Sequence, residues 1–501
     1  MSPLMLAILI VLLASIVSFL YISKHDRKLP PGPRGFPIVG NLHKLGDLPH
    51  QALHHLAKKY GPIMSMRLGL VPTIIISSPQ AAELFLKTYD TNFASRPNIQ
   101  ASHYLSYGRK GLVFSEYGSY WRSTRKLCTL QLLSASKIQA FAPMRKEEYG
   151  LMVGKLKKAA AAREVVNLSV SVSDLIQNMS CRMVFGVSTN NGDFRLKSVV
   201  EETLRLVGAF NIGDFVPFLG AFDLQGVKKR SKACNEAFDK IMEKIIDEHE
   251  KEAHWENKQQ RDFVDALLSV VNQSMISHDG AESEIDRSNI KAILIDIIVA
   301  AVDTSATAIE WTLAELIRHP QAMKTLQDEL QNVVGLDKMV EEKDLSKLTY
   351  LDMVIKESSR LHPVAPLLVP HESIDEITID GYHIPKRSRI LVNIWAIGRD
   401  SNVWSDNVDE FLPERFIGTN VDLHGHDFRL IPFGSGRRGC PGIHLGLTTV
   451  RMAIAQLVHC FNWKLPDGDV SPSELDMSEQ FGLTVSRASH LFLVPEYRLP
   501  V

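Results

Sequence analysis

Residues 433–442 read FGSGRRGCPG, with three glycines before a cysteine and a proline-glycine pair after it. The other cysteines, Cys128, Cys181, Cys234 and Cys460, are scattered and never form CxxC, and their total with Cys440 is odd. A zinc site wants several nitrogen or sulfur ligands at short spacing, and a disulfide framework wants paired cysteines in a small secreted chain. Neither fits, and a reducing compartment fits best. A thiolate that works without companion protein ligands suits an iron already held on its other sides by a porphyrin, and thiolate is the axial ligand that favours O–O cleavage. Glycines let the backbone approach a flat macrocycle and turn amides toward the sulfur. On that reading, a fold built on this loop would enclose a plate.

The chain is long enough to do so. Its 501 residues allow one oversized domain or two to three ordinary ones. Lys plus Arg (56) nearly cancels Asp plus Glu (57), which argues against a nucleic-acid partner. LMLAILIVLLASIVSFLYI (Leu4 to Ile22) is an unbroken apolar run of roughly nineteen residues, enough to cross a bilayer as a helix. Lys24, Arg27, Lys28 and Arg34 follow it and no Lys or Arg precedes it, so the positive-inside rule places the rest in the cytosol. A cleaved secretory signal is the competing reading, but the run is long for one and lacks a clear small-residue cleavage site. We therefore expect a signal anchor over 1–28, with the acceptor-like triplets at Asn167, Asn178 and Asn272 kept from glycosylation.

Next comes LPPGPRGFPIVGN (29–41), whose prolines and glycines forbid helix and predict a stiff connector between anchor and body. From Pro49 to about Arg360 the apolar spacing is mainly helical, as in the run from Ala233. TIIIS (Thr73 to Ser77) and RILVNIW (Arg389 to Trp395) read as strands, and TIDGYHIPK (Thr378 to Lys386) as a hairpin turning at Asp-Gly. SMISHDGAESEID (Ser274 to Asp286) reads as a solvated loop. We expect one body over 42–501.

The cysteine loop resembles the haem-binding signature FxxGxRxCxG of the cytochromes P-450, matched by Phe433, Gly436, Arg438, Cys440 and Gly442. The resemblance implies haem b, with Cys440 as its proximal ligand and Arg438 beside a propionate; by residues alone, a buried cysteine in a glycine turn stays open. KESSRLHP supplies Glu357 and Arg360, an ExxR pair on one helical face. Such pairs on a surface are common and worth little. FLPERF supplies Arg415, which in the family joins that pair in a buried network fixing the haem-side fold. NIKAILIDIIVAAVDTSATAIEWTLAELIRH (Asn289 to His319) reads as a long helix stopped by Pro320, with small Ala300 and Ala301 at its centre. Asp303 and Thr304 align with the family's acid-alcohol pair, which helps deliver protons before O–O cleavage. The bland alternative is a threonine bonded back to its own helix and an aspartate paired with a surface cation. Ala301 stands where many relatives carry glycine.

WRSTRK resembles the family's WxxxR element, so Trp121 and Arg125 would approach a propionate, as would His371; Trp and Arg four apart are otherwise an ordinary amphipathic pair. Arg122, Lys126 and Arg437 would add positive charge where an acidic electron donor docks, or are simply solvated. By resemblance to the family's recognition segments, the substrate pocket comprises Leu112, Val113, Phe114, Phe210, Ala301, Val302, Val364, Ala365, Leu368, Leu483 and Thr484, each of which is otherwise ordinary core. Such a pocket suits a hydrophobic terpenoid or phenolic.

The resemblance spans the body and is greatest to plant microsomal members of specialised metabolism. It implies a mainly α fold with a small β region, one large domain, and a monooxygenase on the cytosolic face of the endoplasmic reticulum membrane. Electrons would come from NADPH through a separate cytochrome P-450 reductase, because about sixty residues after the cysteine loop are too few for another nucleotide-binding domain. Two alternatives stay open: a haem-thiolate isomerase or dehydratase needing no external electrons, and a non-catalytic haem carrier or sensor.

Overall fold

The computed structural model describes residue 11 and residues 28–187, 196–251, 261–270, 274–276, 282–405, 407–466 and 471–500. The expected anchor over 1–28 lies almost wholly outside these residues. Helices dominate, and those that frame the site are α1 (Ser119–Leu127), α2 (Leu168–Phe185), α3 (Arg287–Arg318), α4 (Thr349–Leu361) and α5 (Ile443–Cys460). The helix expected over 289–319 is α3. It starts two residues earlier because Asp286 caps it, accepting from the Asn289 amide while the Asn289 side chain accepts from the Asp286 amide. It ends before Pro320, which opens the next helix. Among the described residues α3 alone is long and apolar enough to cross a membrane. Half of its most apolar window is buried, as befits the central helix of a globular core.

The principal sheet runs β1 (Ile63–Leu68), β2 (Val71–Ile76), β4 (Arg389–Val392), β3 (His371–Glu372), with β2 and β4 parallel and the other pairs antiparallel. β4 stops at Val392, earlier than the run RILVNIW suggests, because Asn393 caps a short helix through the Ala396 amide. The expected Asp-Gly hairpin forms between Ile377–Ile379 and Tyr382–Ile384, with Asp380 at φ +49° and Gly381 at φ +75°. Within Ser274–Asp286, read as a loop, Ser274–Ile276 and Glu282–Glu284 pair as short antiparallel strands. The proline-rich connector lies against β1: Ser65 donates its amide to Pro31 at 2.8 Å, and a Cβ on Gly32 would fall 1.7 Å from the Ser65 carbonyl oxygen. Glycine is therefore required there by close approach.

Candidate active site

α3, α4, α5, the cysteine loop and segments 102–114, 364–371 and 483–484 enclose a cavity of about 400 Å3. Asp296, Ala300, Thr304, Ala308 and Thr312 of α3 line it, as do Ile297, Ala301 and Ser305. The four-residue spacing is one helical stripe, and the second row lies beside it. Neither Val302 nor Asp303 lines the cavity. Val302, expected in the pocket, is buried in the core instead. Asp303 is absent from the lining; its carboxylate accepts a hydrogen bond from the Thr484 hydroxyl at 2.6 Å, and Thr484 does line the cavity. Burial pushes Asp303 up, and the Thr484 hydrogen bond opposes this. Thr304 faces the cavity but donates its hydroxyl to the Ala300 carbonyl at 2.7 Å. Acid and alcohol are thus adjacent in sequence and have separate partners.

On the opposite wall Phe433, Arg438, Cys440 and Gly442 line the cavity. The Cys440 amide donates to the Phe433 carbonyl at 2.9 Å, closing the loop. Of the five cysteines, four are buried and Cys440 is exposed, its surface opening into this cavity. Burial within the molecule pushes its thiol up, opposed by the Gly442 amide and the Arg125 guanidinium. A thiol so placed is given up readily only to a metal that takes the proton's place. Gly436 does not line the cavity. At φ +68° its Cβ position lies 2.2 Å from the Leu86 carbonyl oxygen, so it shapes the loop through backbone crowding.

One rim of the cavity is cationic. Arg438, half-stacked on Trp121 at 4.1 Å, donates to the carbonyls of Ala94 (2.7 Å) and Ser115 (2.6 Å). Arg125 donates to the Gly439 carbonyl at 2.7 Å, and Trp121 Nε1 to that of Leu112 at 3.2 Å. Arg96, which the sequence reading missed, joins them, with its Nε buried and lacking a hydrogen-bond partner. Burial and the neighbouring guanidiniums bring Arg438 down to about 8 and Arg96 to about 9. His371 lines the same rim and donates Nδ1–H to the Phe93 carbonyl at 2.8 Å. Burial, then Arg96, drives it well below the ordinary histidine value. Crowded buried cations and an orphaned guanidine nitrogen fit a group carrying two carboxylates. A flat macrocycle with propionates on one edge and a metal over Cys440 satisfies both features, so the residues present fit haem.

Leu112, Val113, Phe114, Val364, Ala365, Leu368 and Leu483 complete an apolar lining. Phe210 does not; it stacks on Phe215 and Phe481 at 5.9 and 6.1 Å, outside the cavity. Beneath the site, Glu357 accepts two bonds from Arg360 at 2.8 Å each, one from Arg415 at 3.3 Å and one from the Leu412 amide at 2.9 Å. Arg360 spends its remaining donors on the carbonyls of Gly398 (2.7 Å) and Glu410 (2.9 Å), among others. Every member is buried or nearly so, and removing one would strand a charge at a cost of about 3–5 kcal/mol.

The comparisons with known proteins agree with this geometry. The family model described as Cytochrome P450 matches residues 30–492. The chain is 57% identical to Cytochrome P450 CYP736A12 of Panax ginseng over 503 residues, covering 100% of both chains. It is 42% identical to the Flavonoid 3'-monooxygenase of Arabidopsis thaliana, covering 99% of this chain and 96% of that one. A zebra fish cytochrome P450 structure with progesterone superposes with a TM-score of 0.76 at 27% identity, covering 89% of this chain and 99% of that one. The chain belongs to the cytochrome P450 family and is a haem-thiolate monooxygenase.

Proposed function

We propose that this protein is a membrane-attached monooxygenase of plant specialised metabolism. It inserts one oxygen atom into a C–H bond of a hydrophobic terpenoid or phenolic, with electrons relayed from NADPH by a separate reductase. The observation that carries the reading is the apolar cavity closed by Cys440 on one wall and by the alanine-bearing stripe of α3 on the other. Haem, when bound, supplies oxygen activation, so that one atom enters the substrate and the other leaves as water. Cys440 would hold the iron, with the Gly442 amide orienting its sulfur. Arg96, Arg125, Arg438, Trp121 and His371 would seat the propionate edge. Leu112, Val113, Phe114, Val364, Ala365, Leu368 and Leu483 would exclude water and orient the substrate by apolar contact. Asp303, through Thr484, and Thr304 would hold the protons that the reaction consumes.

Two surfaces support the partners. Arg122, Lys126 and Arg437 are exposed around the cysteine loop, to which Arg125 ties α1, and they suit an acidic electron donor. Elsewhere Phe36, Val39, Leu70, Phe218, Phe222 and Leu224 are all exposed. The Gly69 amide bonds to the Val39 carbonyl and the Leu70 amide to that of Phe215, so the three segments adjoin. Such an apolar patch suits a body resting on the endoplasmic reticulum membrane. Incubating the protein and a reductase with NADPH and a panel of terpenes and phenolics should give products heavier by one oxygen. Products formed equally well without NADPH would instead favour an isomerase or dehydratase.

A further inference from the structure

α3 carries a second carboxyl that none of the roles above uses. Asp296 lies about two turns before Thr304 on the same cavity-facing stripe. Its carboxylate accepts the Val113 amide at 2.8 Å, and the Leu112 amide also donates to it. The neighbouring Gly111 is matched to it, since a Cβ there would stand 2.2 Å from a carboxylate oxygen. Burial raises this acid to about 6, with the two amides opposing the shift. The loop's flanks have their own fastenings. Lys110 reaches Asp286 and Ser288 at 2.7 Å each, and Arg109 donates to the carbonyls of Phe114 (2.9 Å) and Arg96 (2.8 Å). Asp296 takes the amides between them, at the point where side chains enter the cavity. Hydrogen bonds to a carboxylate are the strong kind, and an acid buried here without them would be costly.

We propose that Asp296 is a specificity-determining positioning residue: it pins the backbone of residues 111–113 to the central helix and so fixes how far Leu112, Val113 and Phe114 stand into the substrate chamber. The inference rests on reading the cavity as that chamber. A satisfied buried acid without this role would tie the same amides but would leave ligand size discrimination unchanged when loosened.

The test uses the full-length holoprotein and two readouts. One is deuterium exchange in peptides covering 111–114. The other is optical titration with a small azole, phenylimidazole, and a bulkier biphenyl-substituted imidazole. Asp296→Ala and Gly111→Ala should each speed exchange at Leu112 and Val113 by roughly tenfold. Each should also shift the affinity ratio toward the bulkier azole, with Asp296→Asn intermediate because it keeps an acceptor. The double variant should exchange no faster than either single one, because both remove one tether. Unchanged exchange in both single variants overturns the tether. Faster exchange with an unchanged affinity ratio overturns the specificity role. A parent that responds to neither azole overturns the chamber reading and the specificity role with it, and the exchange readout separates that failure from failure of the tether.

Discussion

Among the described residues, the hydroxyl of Thr484 is the donor that joins the cavity to the carboxylate of Asp303, and it is also the group that most favours the charged form of that acid. Thr484→Val keeps the shape and removes the donor. Asp303, already raised by burial, then rises further, so the alkaline limb of the pH–rate profile, where the acid loses the proton it supplies, moves to higher pH. The loss of a hydrogen bond to a charged group is about 1.5–3 kcal/mol. An alkaline limb unmoved in Thr484→Val would show that Asp303 takes no part in proton supply. Thr304 differs, because its hydroxyl proton is committed to the Ala300 carbonyl. Its lone pairs still face the cavity, and Thr304→Ala should divert reducing equivalents to peroxide at the expense of product. Coupling equal to the parent's would assign Thr304 to helix packing alone.

At the scale of elements, one tie between α3 and the end of α4 is Glu315, which meets His362 at 2.6 Å and His319 at 3.2 Å. Burial alone would raise Glu315, but the two histidines outweigh it and hold the acid near 2, below its ordinary 4.5. A depressed carboxyl stabilises the fold fully above the unfolded value and loses that contribution as pH falls through the folded one. The stability gap between the parent and Glu315→Gln, measured by urea unfolding, should therefore shrink from pH 4.5 toward pH 2. A gap constant over that range contradicts the account. The end of α3 and the hairpin were legible in sequence because a proline stop and an Asp-Gly turn act locally, whereas the start of α3 is set by Asp286, which by sequence reads as part of a loop. The cysteine loop was legible because its residue types are demanding. What lay beyond reach needed three dimensions: Arg96 comes from a loop with no spacing relation to Arg438, and Thr484 reaches Asp303 across 181 residues. Asp296 was accessible in principle, eight residues before Thr304 on the same stripe. Val302 was misplaced because it packs into the core, and which neighbours cover a helix position is set by the other elements and not by the helix's own sequence.

For the whole molecule, the account places a haem-enclosing body against a membrane with an electron donor on its cysteine face. The membrane half predicts that a spin label on Phe222→Cys, in full-length protein in bilayers, collides more with lipid-dissolved oxygen than with a water-soluble nickel chelate. The reverse order would lift the apolar patch off the membrane. The chemical half depends on one sulfur, and the most direct measurement is the reduced carbon-monoxide difference spectrum of the purified protein beside Cys440→Ala. The account predicts the thiolate-ligated haem band in the parent and its loss in the variant; a parent without that band, or a variant that keeps it, would contradict the assignment of Cys440.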